Sequence, residues 1–537
     1  MEHLYDKLTE YARGEDYPYH MPGHKRRAFG EMPSDVYEMD VTEIDGFDDL
    51  HAPEGILKDL QERVARLYGA DESFCLVGGS TAGILAALSA ALPEGGHLLM
   101  ARNCHKSAYH AAYLRNLKLT YLLPEVVDEF GICDGLQPKE IEHALENAPD
   151  VQAVLIVSPT YEGRISPVRE IAEIVHAHGK ILIVDEAHGA HLGLTGKARG
   201  NRREQAGGER GSRREQAGDA PCRENSCQAG ADLVIHSVHK TLPAMTQTAL
   251  LHVNGDRVDR ERLRRFLRIY QSSSPSYVLM ASIDNAVTMM EQDGEKLYGD
   301  LVRDFGWLTK ELSACRRLRF LTEELECGEP VNGQSVSRQE DLADGDCKVR
   351  QDVGKLVIHA GTSGLTGQQI YDVLRDRYHL QLEMAAGEYC LAMFTVGDAQ
   401  EGYRRMRDAL LEIDVNADER KKELEKSRIA PCEETSGEKQ MEAVPDGTDG
   451  GRQGGSEPVV ARSLKEAWDA PWEEVLLCDC EGRISAEFVN LYPPGTPIAA
   501  PGEVFTKEIV NMLLRYQTQE LRLQGVSKMG TVRCLTE

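Results

Sequence analysis

The sequence predicts an α/β protein built on a mainly parallel central sheet, and three observations carry that expectation. Short apolar runs at Phe74–Val77, Val151–Val157, Lys180–Val184 and Leu233–Ile235 alternate with stretches of helical period, the pattern of a doubly wound sheet. Each run is nearly continuous in apolar residues, as strands buried on both faces are. Each also ends in polar residues: Gly78-Gly-Ser-Thr-Ala-Gly83, Ser158-Pro-Thr-Tyr-Glu-Gly163, Asp185-Glu-Ala-His-Gly189 and Ser237-Val-His-Lys-Thr241. Ligands of such sheets gather at the carboxyl ends of the strands.

Composition narrows the class. With 537 residues and 41% hydrophobic content the chain can build several domains around sizeable cores. A net charge of −27 argues against nucleic acid or an anionic membrane as partner. No apolar run reaches the 18 to 20 residues or so of a membrane span, and the start, Met-Glu-His-Leu-Tyr-Asp-Lys, lacks a signal-peptide pattern, so a cytoplasmic protein is expected. The 13 cysteines are scattered and odd in number, which fits reduced thiols, and none pairs with histidine at zinc spacing.

Along the chain, His20-Met-Pro-Gly-His-Lys-Arg26 reads as a turn in an N-terminal arm over 1–40, followed by the acidic, turn-rich stretch Asp40–Leu57. A helix is expected from about Pro53 to Tyr68, with Gly69 as its stop. The strand ending at Val77 runs into a glycine-rich turn bearing Ser80 and Thr81 and then a helix. Free N–H groups and the helix dipole make such a turn an anion site, and a phosphate is its natural guest. In Asn103-Cys-His-Lys-Ser107, His105 can lie over a planar ring or simply cap the next helix. Ser166 and Pro167 read as N-cap and first-turn proline of a helix ended by Gly179.

Asp185 directly follows a buried strand, where an acid needs a partner such as a protonated heterocyclic nitrogen. Lys240 sits at another strand end, among hydroxyl and imidazole groups. A partly desolvated lysine there is placed to lose its proton and condense with a carbonyl. Between them, about 197–228, Arg-Arg-Glu-Gln-Ala-Gly occurs twice amid glycine, serine and charge, and reads as a disordered, solvated insertion. Gln271-Ser-Ser-Ser-Pro-Ser-Tyr277 precedes a long helix. The rest divides into a major domain over 41–285, a small α/β domain over 286–415 with an acidic interruption at 326–348, a low-complexity linker over 416–463 and a C-terminal domain over 464–537. The last carries Leu491-Tyr-Pro-Pro-Gly-Thr-Pro497 and Ala500-Pro-Gly-Glu503, where Glu503 is a candidate carboxylate for a substrate cation.

A phosphate cradle, a stacking imidazole, an acid for a ring nitrogen and a lysine for an aldehyde are together what pyridoxal 5′-phosphate (PLP) requires. With these motifs in this order, and with Asp-Val-Thr-Glu-Ile-Asp-Gly-Phe-Asp-Asp-Leu-His, Asp-Glu-Ala-His-Gly-Ala-His and Tyr-Pro-Pro-Gly-x-Pro beside them, the chain resembles the ornithine/lysine/arginine decarboxylase family. These are fold-type-I PLP enzymes, and the resemblance is to the shorter form without an N-terminal wing domain.

The resemblance implies that Lys240 carries the cofactor aldehyde, Asp185 pairs with its ring nitrogen and His105 stacks on its ring. It implies further that Ser80, Thr81, Ser237 and His239 bind the phosphate and that Ser273 reaches the phosphate of a neighbouring subunit, so that the site belongs to a homodimer or larger homo-oligomer. His188 matches a position near the ring. The activity implied is decarboxylation of a basic amino acid, arginine before lysine or ornithine, to an amine that feeds polyamine synthesis. His105, His188 and Lys240 all remain open as the source of the proton delivered to Cα. A PLP aminotransferase or aldolase-type lyase shares Lys240 and Asp185 and is the alternative on the same fold, with a non-catalytic regulatory protein as the other.

Overall fold

Seven strands form the central sheet of the computed structural model: β1 (Glu72–Leu76), β2 (His97–Ala101), β3 (Lys118–Leu122), β4 (Ala153–Val157), β5 (Ile181–Asp185), β6 (Leu233–His236) and β7 (Ala249–Val253). Their order is β1-β7-β6-β5-β4-β2-β3. Every pair from β6 across to β3 is parallel, whereas β7 is antiparallel to both neighbours. β7 reverses because no long crossover helix separates it from β6, and only a crossover lets the next strand run the same way. Every residue of β2, β6 and β7 is buried, which accounts for their largely apolar sequence, interrupted by one histidine in each.

The structure describes residues 2–14, 18–22, 24–27, 34–127, 129–194, 224–322, 347–417, 458–491, 496–518 and 521–536. The expectations for 197–223, 326–346, 418–457, Gly23 and Tyr492-Pro-Pro-Gly495 lie outside them. No helix among the described residues is long and apolar enough to cross a membrane.

Eight helices build the site or brace it: α1 (Leu4–Arg13), α2 (Ile56–Tyr68), α3 (Gly79–Ala91), α4 (Lys106–Arg115), α5 (Val168–Ala177), α6 (Ser226–Ala229), α7 (Val238–Thr241) and α8 (Tyr277–Leu312). The acidic stretch before α2 serves as its cap. Asp48 accepts the N–H groups of Glu54, Gly55 and Leu57, and these hold its carboxyl below the ordinary value although burial alone would raise it. α3 is seated tightly on the sheet, since a Cβ on Gly83 would lie 2.7 Å from Leu76 and 3.1 Å from Ile235. That contact sets the N-terminus of α3 beside the carboxyl ends of β1 and β6.

Two local expectations change. α5 has Pro167 at its N-cap, and Ser166 instead accepts the Leu136 N–H. Residues 224–228, read as part of the solvated insertion, are ordered: Asn225 and Ser226 are each 1% exposed, and Asn225 caps α6. Their polar side chains disguise the segment as loop because its partners, Tyr68 and Glu186, are distant in sequence.

α8 runs unbroken past residue 285, packing Met280 and Ile283 into the central-sheet core and Phe305 and Leu308 into a second core. That second core lies beneath an antiparallel sheet of β8 (Arg319–Leu321), β9 (Lys355–His359), β10 (Met384–Ala386) and β11 (Tyr389–Met393), in the order β8-β9-β11-β10. The C-terminal residues form a further core around Phe505 and Leu513, while Leu464 and Phe488 join the central one.

Candidate active site

At the carboxyl end of β6 the chain turns through Ser237 into the single turn of α7, which lifts Lys240 to the rim of the sheet. β5 is the parallel neighbour of β6, so the residues following Asp185 arrive beside that lysine. His188 Nε2 lies 3.0 Å from Lys240 Nζ. Burial lowers the basicity of Lys240, with Asp185 and Glu383 opposing the loss, and a lysine so placed yields a nucleophilic amine more readily than one in water.

Asp185 is 5% exposed and accepts one N–H, from Ala187. Burial raises its carboxyl above the ordinary value, and the Lys240 charge pulls the other way. An acid with this surplus of acceptor capacity suits a positively charged ring N–H. His105 caps α4, its Nδ1 accepting the Ser107 N–H, and the ring is near enough to Lys240 to feel its charge. Burial first, then Lys240, lowers His105 to about 4. His188 is pushed well down by burial and by Lys240 and Lys355. Both imidazoles are therefore neutral at physiological pH.

The anion cradle has the features a phosphate needs. α3 opens at Gly78 with no side-chain cap, with Ser80 half-buried and Thr81 exposed in its first turn. Ser237 is fully buried, yet its Oγ has no hydrogen-bond partner, and a buried hydroxyl is rarely left so. His239 gives Nδ1 to the Thr248 carbonyl at 2.9 Å, which leaves Nε2 for another partner. An orphaned hydroxyl, an uncapped helix start, an under-used buried acid and a deprotonatable lysine fit a group that carries a phosphate, a ring nitrogen and an aldehyde.

A family model described as Orn/Lys/Arg decarboxylase, major domain, matches residues 2–213 and 215–400, and the corresponding C-terminal domain model matches 458–528. The chain belongs to the Orn/Lys/Arg decarboxylase family. It is similar to the arginine decarboxylase of Bacillus subtilis (28% identical, over 97% of this chain and 95% of that one) and to the uncharacterized protein YaaO of the same organism (32%, over 98% and 96%). The lysine decarboxylase of Hafnia alvei is 24% identical over 93% of this chain and 72% of its own. Among solved structures, the Francisella novicida lysine decarboxylase LdcF superposes with a TM-score of 0.75 at 18% identity, covering 99% of this chain and 81% of that one. The fold is thus the fold-type-I architecture of this family, and the protein is an amino acid decarboxylase.

One residue of this decarboxylase stands differently from the sequence reading. Glu503 is 2% exposed and bound through both oxygens to Arg102, at 2.8 Å each, while it also accepts the Ala500 N–H. Its charge is spent on holding the C-terminal residues to β2, so it is not a free carboxylate for a substrate cation. Ser273 is exposed on the single chain, in a loop tied down by its neighbours: Gln271 accepts the Val77 N–H and Ser274 donates to Glu43.

The structure also brings in side chains that sequence reasoning passed over. Lys355, at the start of β9, places Nζ 2.9 Å from His188 Nδ1. Tyr161 packs its ring 4.6 Å from that of His188 and donates to Glu383. Glu162 accepts from Tyr389 at 2.8 Å, and His191 bonds to Asp352 at 2.9 Å. One signal was available: a lysine at the head of an otherwise apolar run, Lys355-Leu-Val-Ile-His359, is a charge in a buried strand.

Proposed function

We propose that the protein decarboxylates a basic amino acid, arginine by preference, using PLP held by Lys240, Asp185, His105, Ser80, Thr81, Ser237 and His239. The observation that carries this is the convergence of Lys240, Asp185 and His188 at adjacent strand ends, beside a buried hydroxyl that lacks a partner. Near full-length similarity to proteins named arginine decarboxylase supports the choice of arginine.

When bound, PLP supplies an electron sink for the pair released as the Cα–carboxylate bond breaks. The chain's own residues do the rest. Asp185 keeps a positive charge on the ring nitrogen by offering a buried carboxylate. His105 and His188, neutral by burial, wall the reacting face without adding charge, and Tyr161 packs behind His188. Lys240 is the group able to hold and give a proton at Cα, because both imidazoles are too weakly basic to carry one. Ser273 we assign to the phosphate of a second subunit, which its exposure on the single chain supports.

The test is amine product by mass spectrometry, from PLP-loaded protein given arginine, lysine and ornithine in equal amounts, with Lys240→Ala as control. A single amine that is absent from the control is expected. No amine from any of the three would overturn the reading.

A further inference from the structure

His188 is flanked by two lysines, and only one of them belongs to the motif that suggested the site. Lys355 is 1% exposed in a fully buried strand. Its stem is pressed against Gly163, where a Cβ would come within 2.6 Å of Lys355 Cγ, so the amine is aimed at one place. That place is Nδ1 of His188, at 2.9 Å, while Nε2 across the ring is 3.0 Å from Lys240.

A neutral imidazole has one N–H and one bare nitrogen. The ring can therefore accept from one ammonium and must donate to the other amine. With Lys355 charged, Nδ1 accepts and Nε2–H points at a Lys240 lone pair. With Lys240 charged, the roles reverse. One proton crossing the ring interconverts the two states with no movement of heavy atoms.

We propose that Lys355 and His188 form a proton relay that recharges Lys240 in every turnover. The inference rests on the decarboxylase reading, because decarboxylation consumes a proton. The C–C bond breaks and CO₂ leaves, its electron pair remaining on the Cα side, and a Cα–H bond forms with a proton from Lys240. Lys355 is charged from water, the ring proton of His188 shifts from Nδ1 to Nε2, and Lys240 then takes that Nε2 proton while Nδ1 takes one from Lys355. The surroundings favour this direction. Burial and the Lys240 charge bring Lys355 down to about 8 despite Asp352, Glu383 and Glu162 nearby, so it gives up its proton more readily than a lysine in water. The other imidazoles facing His188 are His105 and His239, and His191 is engaged by Asp352.

Two measurements test the relay. The first is the ¹⁵N shifts of His188 in the cofactor-free protein. Wild type is expected to show both ring nitrogens averaged between protonated and bare, and Lys355→Met to collapse to the Nδ1–H form. The second is rapid-quench amine formation by the PLP-loaded enzyme. Lys355→Met should give a burst of one amine per site and then a steady rate slowed about 100-fold, with KM falling alongside kcat because the limiting step now follows the chemistry. Lys355→Arg, which keeps the charge but does not surrender its proton, should burst in the same way, and it carries the test if the methionine variant does not fold. A single fixed tautomer shared by wild type and variant, or linear time courses within threefold of wild type, would overturn the relay while leaving the decarboxylase standing. Absence of amine from wild type would instead remove the functional reading, and the ¹⁵N result would still decide whether the proton is shared.

Discussion

Arg102 and Glu503 are joined by two hydrogen bonds of 2.8 Å each, across a sequence separation of 401 residues. The pair ties the rim of β2 to the C-terminal segment. Glu503→Gln leaves a guanidinium largely buried without its counter-charge, which costs about 3–5 kcal/mol. Chemical denaturation should show that loss. KM for the amino acid should stay within twofold, whereas a carboxylate that bound the substrate cation would raise it steeply.

Asp185→Asn keeps the shape of the acid and removes its charge. We expect the protein to fold and retain cofactor, and kcat to fall by about 100-fold or more, the scale of losing one preorganised electrostatic contact. Cofactor content by absorbance, measured beside kcat, separates this outcome from failure to bind.

Glu186, Asp185's neighbour, heads a buried chain of polar groups. It bonds to His236 at 2.7 Å, His236 to His252 at 2.9 Å and His252 to Ser73 at 2.7 Å, linking β5, β6, β7 and β1. Burial pushes the Glu186 carboxyl up to about 8 from 4.5. An acid raised in the folded state keeps its proton where the unfolded chain has lost it, so its contribution to stability is full below 4.5 and is lost as pH rises to 8. His236, lowered to about 3 by burial, acts on the acid side instead, costing stability below 6.5. The unfolding midpoint of wild type should therefore drop between pH 6.5 and 8.5, and Glu186→Gln should drop less.

Asn225 accepts the Gln228 N–H and donates to the Tyr68 carbonyl at 3.2 Å. Asn225→Ala removes the cap of α6 and an interior bond, a loss of about 1–2 kcal/mol. Faster amide exchange confined to residues 224–229, in hydrogen–deuterium exchange, is the expected signature.

The strand ends were readable because their chemistry is local: an apolar run, then a polar turn, places Asp185, Ser237 and Lys240 without knowledge of any partner. His105 shows where local reading leaves a choice, since the same ring caps α4 and faces Lys240. What stayed hidden depends on pairing across the chain. Nothing near Glu503 announces Arg102, and nothing near Asn225 announces Tyr68, so one looked available and the other looked like loop. Lys355 shows locally only as a charge at the head of an apolar run, because its meaning comes from His188, 167 residues earlier in the chain. The reversal of β7 was likewise invisible, since an antiparallel strand buried on both faces has the same composition as a parallel one.

The tight packing of Gly193 against Asn225, where a Cβ would lie 2.6 Å from Nδ2, together with the three bonds from Ser226 to Glu186, gives the fold a port. Both lips of the segment leaving at Leu194 and returning at Glu224 are fastened to the same patch of the sheet. Closing the chain there costs the fold nothing more, and doubling the length in between adds only about 0.6 kcal/mol of loop entropy. A change of length between those lips therefore costs the fold little. The same doorway is the place on this fold where a foreign peptide is expected to be accepted at least cost.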